Sequence, residues 1–287
     1  MTLRKISKNI TGQATMDGAG VKLVRVLGNS TVKDFDPFLM LDAFDSTDPD
    51  DYIRGFPWHP HRGIETITYL VEGSIEHGDS LGNKGRIGAG ECQWMTAGSG
   101  IIHQEMPKPS PRMLGLQFWL NLPSSEKMVE PKYHGATADQ VPVVTEDGAS
   151  VRIIAGDYRG TAGALTAEHI KAVFMDVTLK AEAEWSFDAD PQATVYLYIM
   201  DGEGRFDEVS GPVPLKHALL FTLGDRLKVK AGPKGVRFVL CQARPLNEPV
   251  AWGGPIVMNT REELNHAFEE LDNNTFIKSH QVAAHMH

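Results

Sequence analysis

One pattern governs the chain: brief runs of strand composition set between recurring glycines and prolines. VKLVRVLG (21–28), IETITYLV (64–71), ASVRIIAG (149–156), AVFMDVTL (172–179), TVYLYIM (194–200), ALLFTL (218–223) and VRFVLCQA (236–243) all fit it, and 28 glycines and 17 prolines recur at short intervals. Short strands separated by turn signals throughout a chain specify an all-β fold, an antiparallel sandwich or barrel. Helical periodicity is confined to two places. PSSEKMVEP (123–131) lies between prolines with Ser124 or Ser125 as its N-cap, and NTREELNHAFEELDN (259–273) carries an apolar stripe of Leu264, Phe268 and Leu271.

A weak internal repeat divides the chain. TITYLVEGSIEHGDSLG (66–82) matches TVYLYIMDGEGRFDEVSG (194–211) in plan: apolar strand, acid plus glycine, second strand, turn. The strand-free, proline-bearing segment between the halves places the boundary near Gln140, giving domains 1–140 and 141–287. Aligning Gly73 with Gly202 sets Asp188 and Asp190 opposite His59 and His61, and no histidine in the second half matches His103. Those aspartates read as turn residues beside Pro191.

At 287 residues and 41% apolar content the chain can bury a substantial core. Its net charge of −9 is spread along its length, with no basic stripe to track a phosphate backbone, so direct nucleic-acid binding is not expected. No charged leader followed by an apolar run opens the sequence and no run approaches bilayer length, so neither secretion nor membrane insertion is expected. Cys92 and Cys241 are its two cysteines, too few and too distant for a disulfide framework, and a reducing cytoplasm is the expected setting. Cys92 is expected to pack as a small apolar residue.

Chemistry concentrates in two short motifs. FPWHPHRGIETITYL (56–70) places His59 and His61 two apart, so that on one strand both imidazoles face the same way, and Glu65 shares their parity. Alone, such a pair is equally a surface feature beside a proline turn. The second motif, WMTAGSGIIHQEMP (94–107), adds His103 and Glu105, again two apart, after a turn at Gly98 and Gly100. Three imidazoles and a carboxylate converging in a β-barrel leave one or two positions open on a first-row metal, which is the arrangement of a catalytic site. Phe56, Trp58, Met95 and Gln117 are candidates for the cavity mouth. His77 reads as a solvated turn residue, and SHQVAAHMH (279–287) as a chain end with three further histidines.

The two histidine motifs, DPFLMLDAF (36–44), SSEKMVEP and EPVAWGGPIVMNTREEL (248–264) together resemble the pirins of the cupin superfamily, over essentially the whole chain. The resemblance implies two tandem cupin (jelly-roll β-barrel) domains with a short linker helix and a C-terminal helix. It implies one metal in the N-terminal domain, most often iron(II), held by His59, His61, His103 and Glu105, and a C-terminal barrel without metal. Nickel, cobalt, copper, manganese or zinc suit the same ligands. In many cupins the fourth ligand is the carboxylate at the position of Glu65; in the pirin pattern it is that of Glu105, which leaves Glu65 to support a ligand by accepting an imidazole N–H or by pairing with Arg62.

The activity implied is that of a quercetin 2,3-dioxygenase, which opens a flavonol with dioxygen and releases carbon monoxide, Glu105 taking the proton of the 3-hydroxyl. The alternative implied by animal and some bacterial pirins is a non-catalytic, iron-dependent redox sensor that binds a transcription factor or a metabolic enzyme. A third is the same metal site with another aromatic substrate, since a fold does not determine a function.

Overall fold

The computed structural model describes residues 1–278, so the histidines of the 279–287 segment lie outside the described residues. The described residues divide into two compact units. One contains Ala14–Val32, Phe38–Ala138 and the chain from Leu246 onward; the other contains Met1–Gln13, Lys33–Pro37 and Asp139–Pro245. This differs from a division at residue 140, because each terminus belongs with the half distant from it in sequence. In the second of these units Ile6–Thr11 pairs antiparallel with His217–Phe221. The buried Arg4 then donates to the carbonyls of Thr222, Gly224, Asp190 and Ala193. A strand's pattern shows that it is a strand; its partner is chosen by register and edge availability, which local pattern does not carry.

Among the described residues the histidine-bearing unit contains a seven-stranded sheet in the order Lys132–Ala136, Cys92–Thr96, Ile64–Glu72, Met113–Asn121, Phe38–Ser46, Val21–Leu27, Gln13–Asp17. Its four-stranded sheet runs Phe56–His61, Ile101–Pro107, Ile75–Asp79, Lys84–Ile87. Neighbours pair antiparallel. In the strand Ile101–Pro107 burial alternates residue by residue, with Ile101, His103, Glu105 and Pro107 turned in, as a two-residue period requires. Leu39, Ile64, Met95, Ala97, Ile101 and Val257 form one apolar cluster in this unit. Met95 is therefore core and not cavity rim.

The C-terminal segment completes the same unit. A hairpin of Ala251–Gly253 and Ile256–Met258 is followed by the helix Arg261–Asp272. The helix opens on a capping box: Glu263 N–H donates to the Thr260 hydroxyl, and the Thr260 N–H to the Glu263 carboxylate. Leu264 and Ala267 pack with Ile256, Met258 and Phe276. Phe268, expected in the stripe, is 38% exposed, because Ala267 takes the inward position one residue earlier. The other expected helix is only the 3₁₀ turn Ser124–Glu126, preceded by Pro123 with no side-chain cap.

The buried Lys127 after that turn joins three segments, donating to Gly63 O and Val257 O at 2.8 and 2.9 Å and to the Asn121 side chain. In the other unit a nine-stranded sheet is built around the long strands Thr194–Arg205 and Arg226–Ala243. Their register breaks at Ile199/Asp201 and Gly202/Gly204, bulges of the kind that bend a sheet toward closure. Its interior is filled by Tyr158, Trp185, Phe187, Phe206 and Phe238 among aliphatic side chains. Asp188 and Asp190 pair with Arg226 and Arg244. No helix among the described residues is long and apolar enough to cross a membrane.

Two consequences are measurable. Gly63 has φ +75°, and a Cβ on it would sit 2.0 Å from the Val257 carbonyl oxygen, so Gly63→Ala is expected to cost about 2–4 kcal/mol; an unchanged thermal midpoint would contradict this packing. Burial pulls the Lys127 pKa from 10.5 to about 7. Between those values the unfolded chain holds a proton that the folded chain gives up, so stability of this unit rises with pH by up to about 1.4 kcal/mol per pH unit. Urea unfolding at pH 7.5 and 9.5 measures the slope, and Lys127→Met should flatten it; an equal slope in the variant would refute the linkage.

Candidate metal centre

His59 and His61 lie on the strand Phe56–His61, and His103 on its antiparallel neighbour Ile101–Pro107, directly opposite His59. The ring centroids of His59 are 4.8 Å from His61 and 4.3 Å from His103, and those of His61 and His103 are 5.0 Å apart. One nitrogen from each ring falls within 4.8 Å of the others. The trio expected from the sequence is thus assembled.

The ring nitrogens are already sorted. His59 Nδ1–H donates to Pro57 O at 2.8 Å and His61 Nδ1–H to Pro255 O at 3.1 Å, which leaves each Nε2 lone pair available, the tautomer that a metal ligand needs. Burial, and then the neighbouring imidazoles, favour the neutral rings of His61 and His103: His61 is drawn down to about 3, and His103 well below its ordinary value. His103 is fully buried, and neither of its nitrogens has a hydrogen-bond partner among the described residues. A buried polar ring without a partner is costly; a metal at the trio removes that cost. The donor set therefore fits a divalent cation.

The two carboxylates separate. Glu105, 5% exposed, turns inward on the same strand as His103, and the Thr68 hydroxyl donates to its Oε1 at 2.7 Å. Glu65 is buried as well, and its Oε1 accepts from Thr96 Oγ1 at 2.7 Å. The reason is Gly63: its left-handed backbone ends one strand and starts another in a different sheet, and the parity count from His61 is lost. Thr68, three residues on from Glu65, therefore takes the interior face and Glu65 the opposite one. Arg62 reaches Ser99 O, Phe276 O and Glu270, and stacks over the Phe276 ring.

His77, which the pattern reads as a solvated turn residue, is instead a neighbour of the trio. It is buried in the strand Ile75–Asp79, its ring 5.5 Å from that of His103 and stacked on Tyr133. Asp79 Oδ2 lies 3.2 Å from its Nε2, and the Gln93 amide 3.0 Å from its Nδ1. Its odd parity hid it, since the Gly73 turn resets the count; the adjacent Asp79 was the one usable signal. Cys92 is fully buried and its thiol is pushed up by burial, as an apolar packing residue should be.

His59 and His61 open on a cavity of about 750 Å³. Phe44, Phe56, Trp58, Trp119 and Trp252 supply flat apolar walls, with Gln117 and Glu105 among the few polar ones. Arg25, paired with Asp42 and Asp17, sits at another edge. Trp58 is 46% exposed, at the mouth. Apolar walls with a few convergent polar groups are the usual form of a small-molecule site.

A pirin family model matches residues 20–120, and a pirin C-terminal cupin domain model residues 174–277. A pirin-like protein of Caulobacter vibrioides is 41% identical over 96% of this chain and 100% of its own length. The chain belongs to the pirin family, within the cupin superfamily. A Pseudomonas aeruginosa relative, named as a candidate quercetin 2,3-dioxygenase, is 40% identical to this pirin over 91% of it and 93% of the relative. A crystal structure of quercetin 2,3-dioxygenase from Acinetobacter baumannii superposes with a TM-score of 0.88 at 28% identity, covering 96% of this pirin and 99% of that chain. The tandem cupin architecture is thereby established, and the histidine trio marks a divalent-metal site.

A ligand that binds only the folded state stabilises it by about 2.7 kcal/mol at a hundredfold excess over its Kd. Cobalt(II) should therefore raise the unfolding midpoint of the metal-free pirin by several degrees, and His103→Ala should abolish most of the rise. An equal rise in the variant would show that the metal binds elsewhere.

Proposed function

We propose that this pirin is a metal-dependent dioxygenase of the quercetin 2,3-dioxygenase type, which opens the central ring of a flavonol with dioxygen and releases carbon monoxide. The observation that carries the reading is one juxtaposition: imidazole nitrogens within 4.8 Å of one another, at a roughly 750 Å³ cavity whose lining includes five flat aromatic side chains. The names borne by the Pseudomonas and Acinetobacter proteins support it.

His59, His61, His103 and Glu105 would hold a single ion, for which we assign iron(II); nickel, cobalt, copper, manganese and zinc are compatible with the same donors. When bound, such an ion supplies Lewis acidity toward the flavonol 3-hydroxyl and a redox partner for dioxygen. The protein's own part is orientation and proton transfer. Phe56, Trp58, Trp119 and Trp252 stack on a planar substrate and exclude water from it. No protein donor among the described residues reaches Glu105 Oε2, while Thr68 occupies Oε1, so Oε2 is the oxygen that would hold the ion and, when not holding it, take the 3-hydroxyl proton.

The test is carbon monoxide release from quercetin under oxygen by the iron-loaded protein. One equivalent should appear per quercetin consumed. His61→Ala should abolish release, and Glu105→Gln should slow it by about 10²–10⁴-fold. A fully iron-loaded protein that consumes no quercetin would set the reading aside in favour of a sensor that acts through a protein partner.

A further inference from the structure

Thr68 occupies a position where valine would pack with the same shape. It is almost fully buried on the interior face of the strand Ile64–Glu72, and a buried hydroxyl is costly unless bonded. Its Oγ1 lies 2.7 Å from Glu105 Oε1 and 2.7 Å from Gln117 Oε1. Gln117 is its cross-strand partner in the seven-stranded sheet, whereas Glu105 belongs to the four-stranded sheet. The hydroxyl therefore joins the two sheets at the carboxylate beside the histidine trio.

The chain of bonds has a direction. One hydroxyl proton cannot serve two acceptor oxygens. Oxygen and nitrogen of an amide are interchangeable by a half-turn, and with Glu105 as a carboxylate the satisfied arrangement runs from Gln117 N–H to Thr68 O–H to Glu105 Oε1. Gln117 also lines the cavity, so its other amide atom remains within reach of a bound molecule.

We propose that Thr68 is a positioning residue: by binding Glu105 Oε1 it presents Oε2 alone to the metal, and Gln117 holds Thr68 in that task. The inference rests on Glu105 as a ligand and is independent of whether flavonols are turned over. Partners of metal ligands typically change metal affinity by about 10–100-fold.

The experiment titrates metal-free protein with cobalt(II), reading affinity by chelator competition and geometry by the visible absorption of the bound ion. Thr68→Val should lose about 10–100-fold in affinity, with a spectrum displaced toward that of Glu105→Gln. Thr68→Ser, which keeps the hydroxyl, should restore both. The double variant T68V/E105Q should bind like E105Q alone, as a residue acting only through Glu105 must. Wild-type affinity and spectrum in T68V, no restoration by T68S, or losses that multiply in the double variant would overturn the proposal. Gln117→Leu, on the cavity wall, provides a reading even if T68V does not fold: weakened affinity supports the chain of bonds, and unchanged affinity overturns it. Wild-type cobalt binding by E105Q would remove Glu105 as a ligand, and the role of Thr68 with it, whatever the quercetin assay shows.

Discussion

The site depends on one register. The strand Ile101–Pro107 pairs with Phe56–His61 so that His103 faces His59 and Ile101 faces His61. Because side chains alternate along a strand, a slip of one residue would turn His103 and Glu105 out of the interior together. The register is held by close backbone approach at its end. Gly55, with φ +61°, lies where a Cβ would stand 2.7 Å from the Glu105 carbonyl oxygen, so the chain can cross there only without a side chain. The burial alternation of Ile101–Pro107 follows from the same register.

Given that register, the imidazoles are oriented by groups outside their own strands as well as within them. Pro57 O fixes His59, and Pro255 O, from the C-terminal hairpin, fixes His61. Trp252 of that hairpin lies 5.7 Å from Trp119, whose ring meets His61 edge-on. The C-terminal segment is thus part of the cavity wall and of the support of His61. Its attachment runs through Arg62, next to His61 in the chain, which is held by Glu270 and the Phe276 carbonyl, and through Lys127 on Val257 O. Two buried basic side chains with their acceptors joining distant segments explain why residues far apart in sequence form one unit.

Much of this was legible in the sequence, where the periodicity ran unbroken. The all-β architecture followed from the glycine-punctuated strands, and both histidine motifs were readable because each pair lies within a single strand. Parity failed where glycines reset it. Gly63 sent Glu65 to the opposite face and into a bond with Thr96, and the turn at Gly73 concealed that His77 is buried 5.5 Å from His103. Backbone carbonyls such as Pro255 O have no residue signature at all. Pairing across the halves of the chain was hidden for a similar reason: Ile6–Thr11 reads as a strand anywhere, and only its bonds to His217–Phe221 say where it belongs.

The central claim is that one metal ion is held by His59, His61, His103 and Glu105. X-ray absorption at the metal edge of the loaded, substrate-free protein tests it most directly. The account predicts a shell with three imidazole nitrogens, identifiable by their outer-ring scattering, and a carboxylate oxygen, at about 2.0–2.2 Å, with one imidazole lost in His103→Ala. A shell of oxygens, or three imidazoles persisting in that variant, would contradict it.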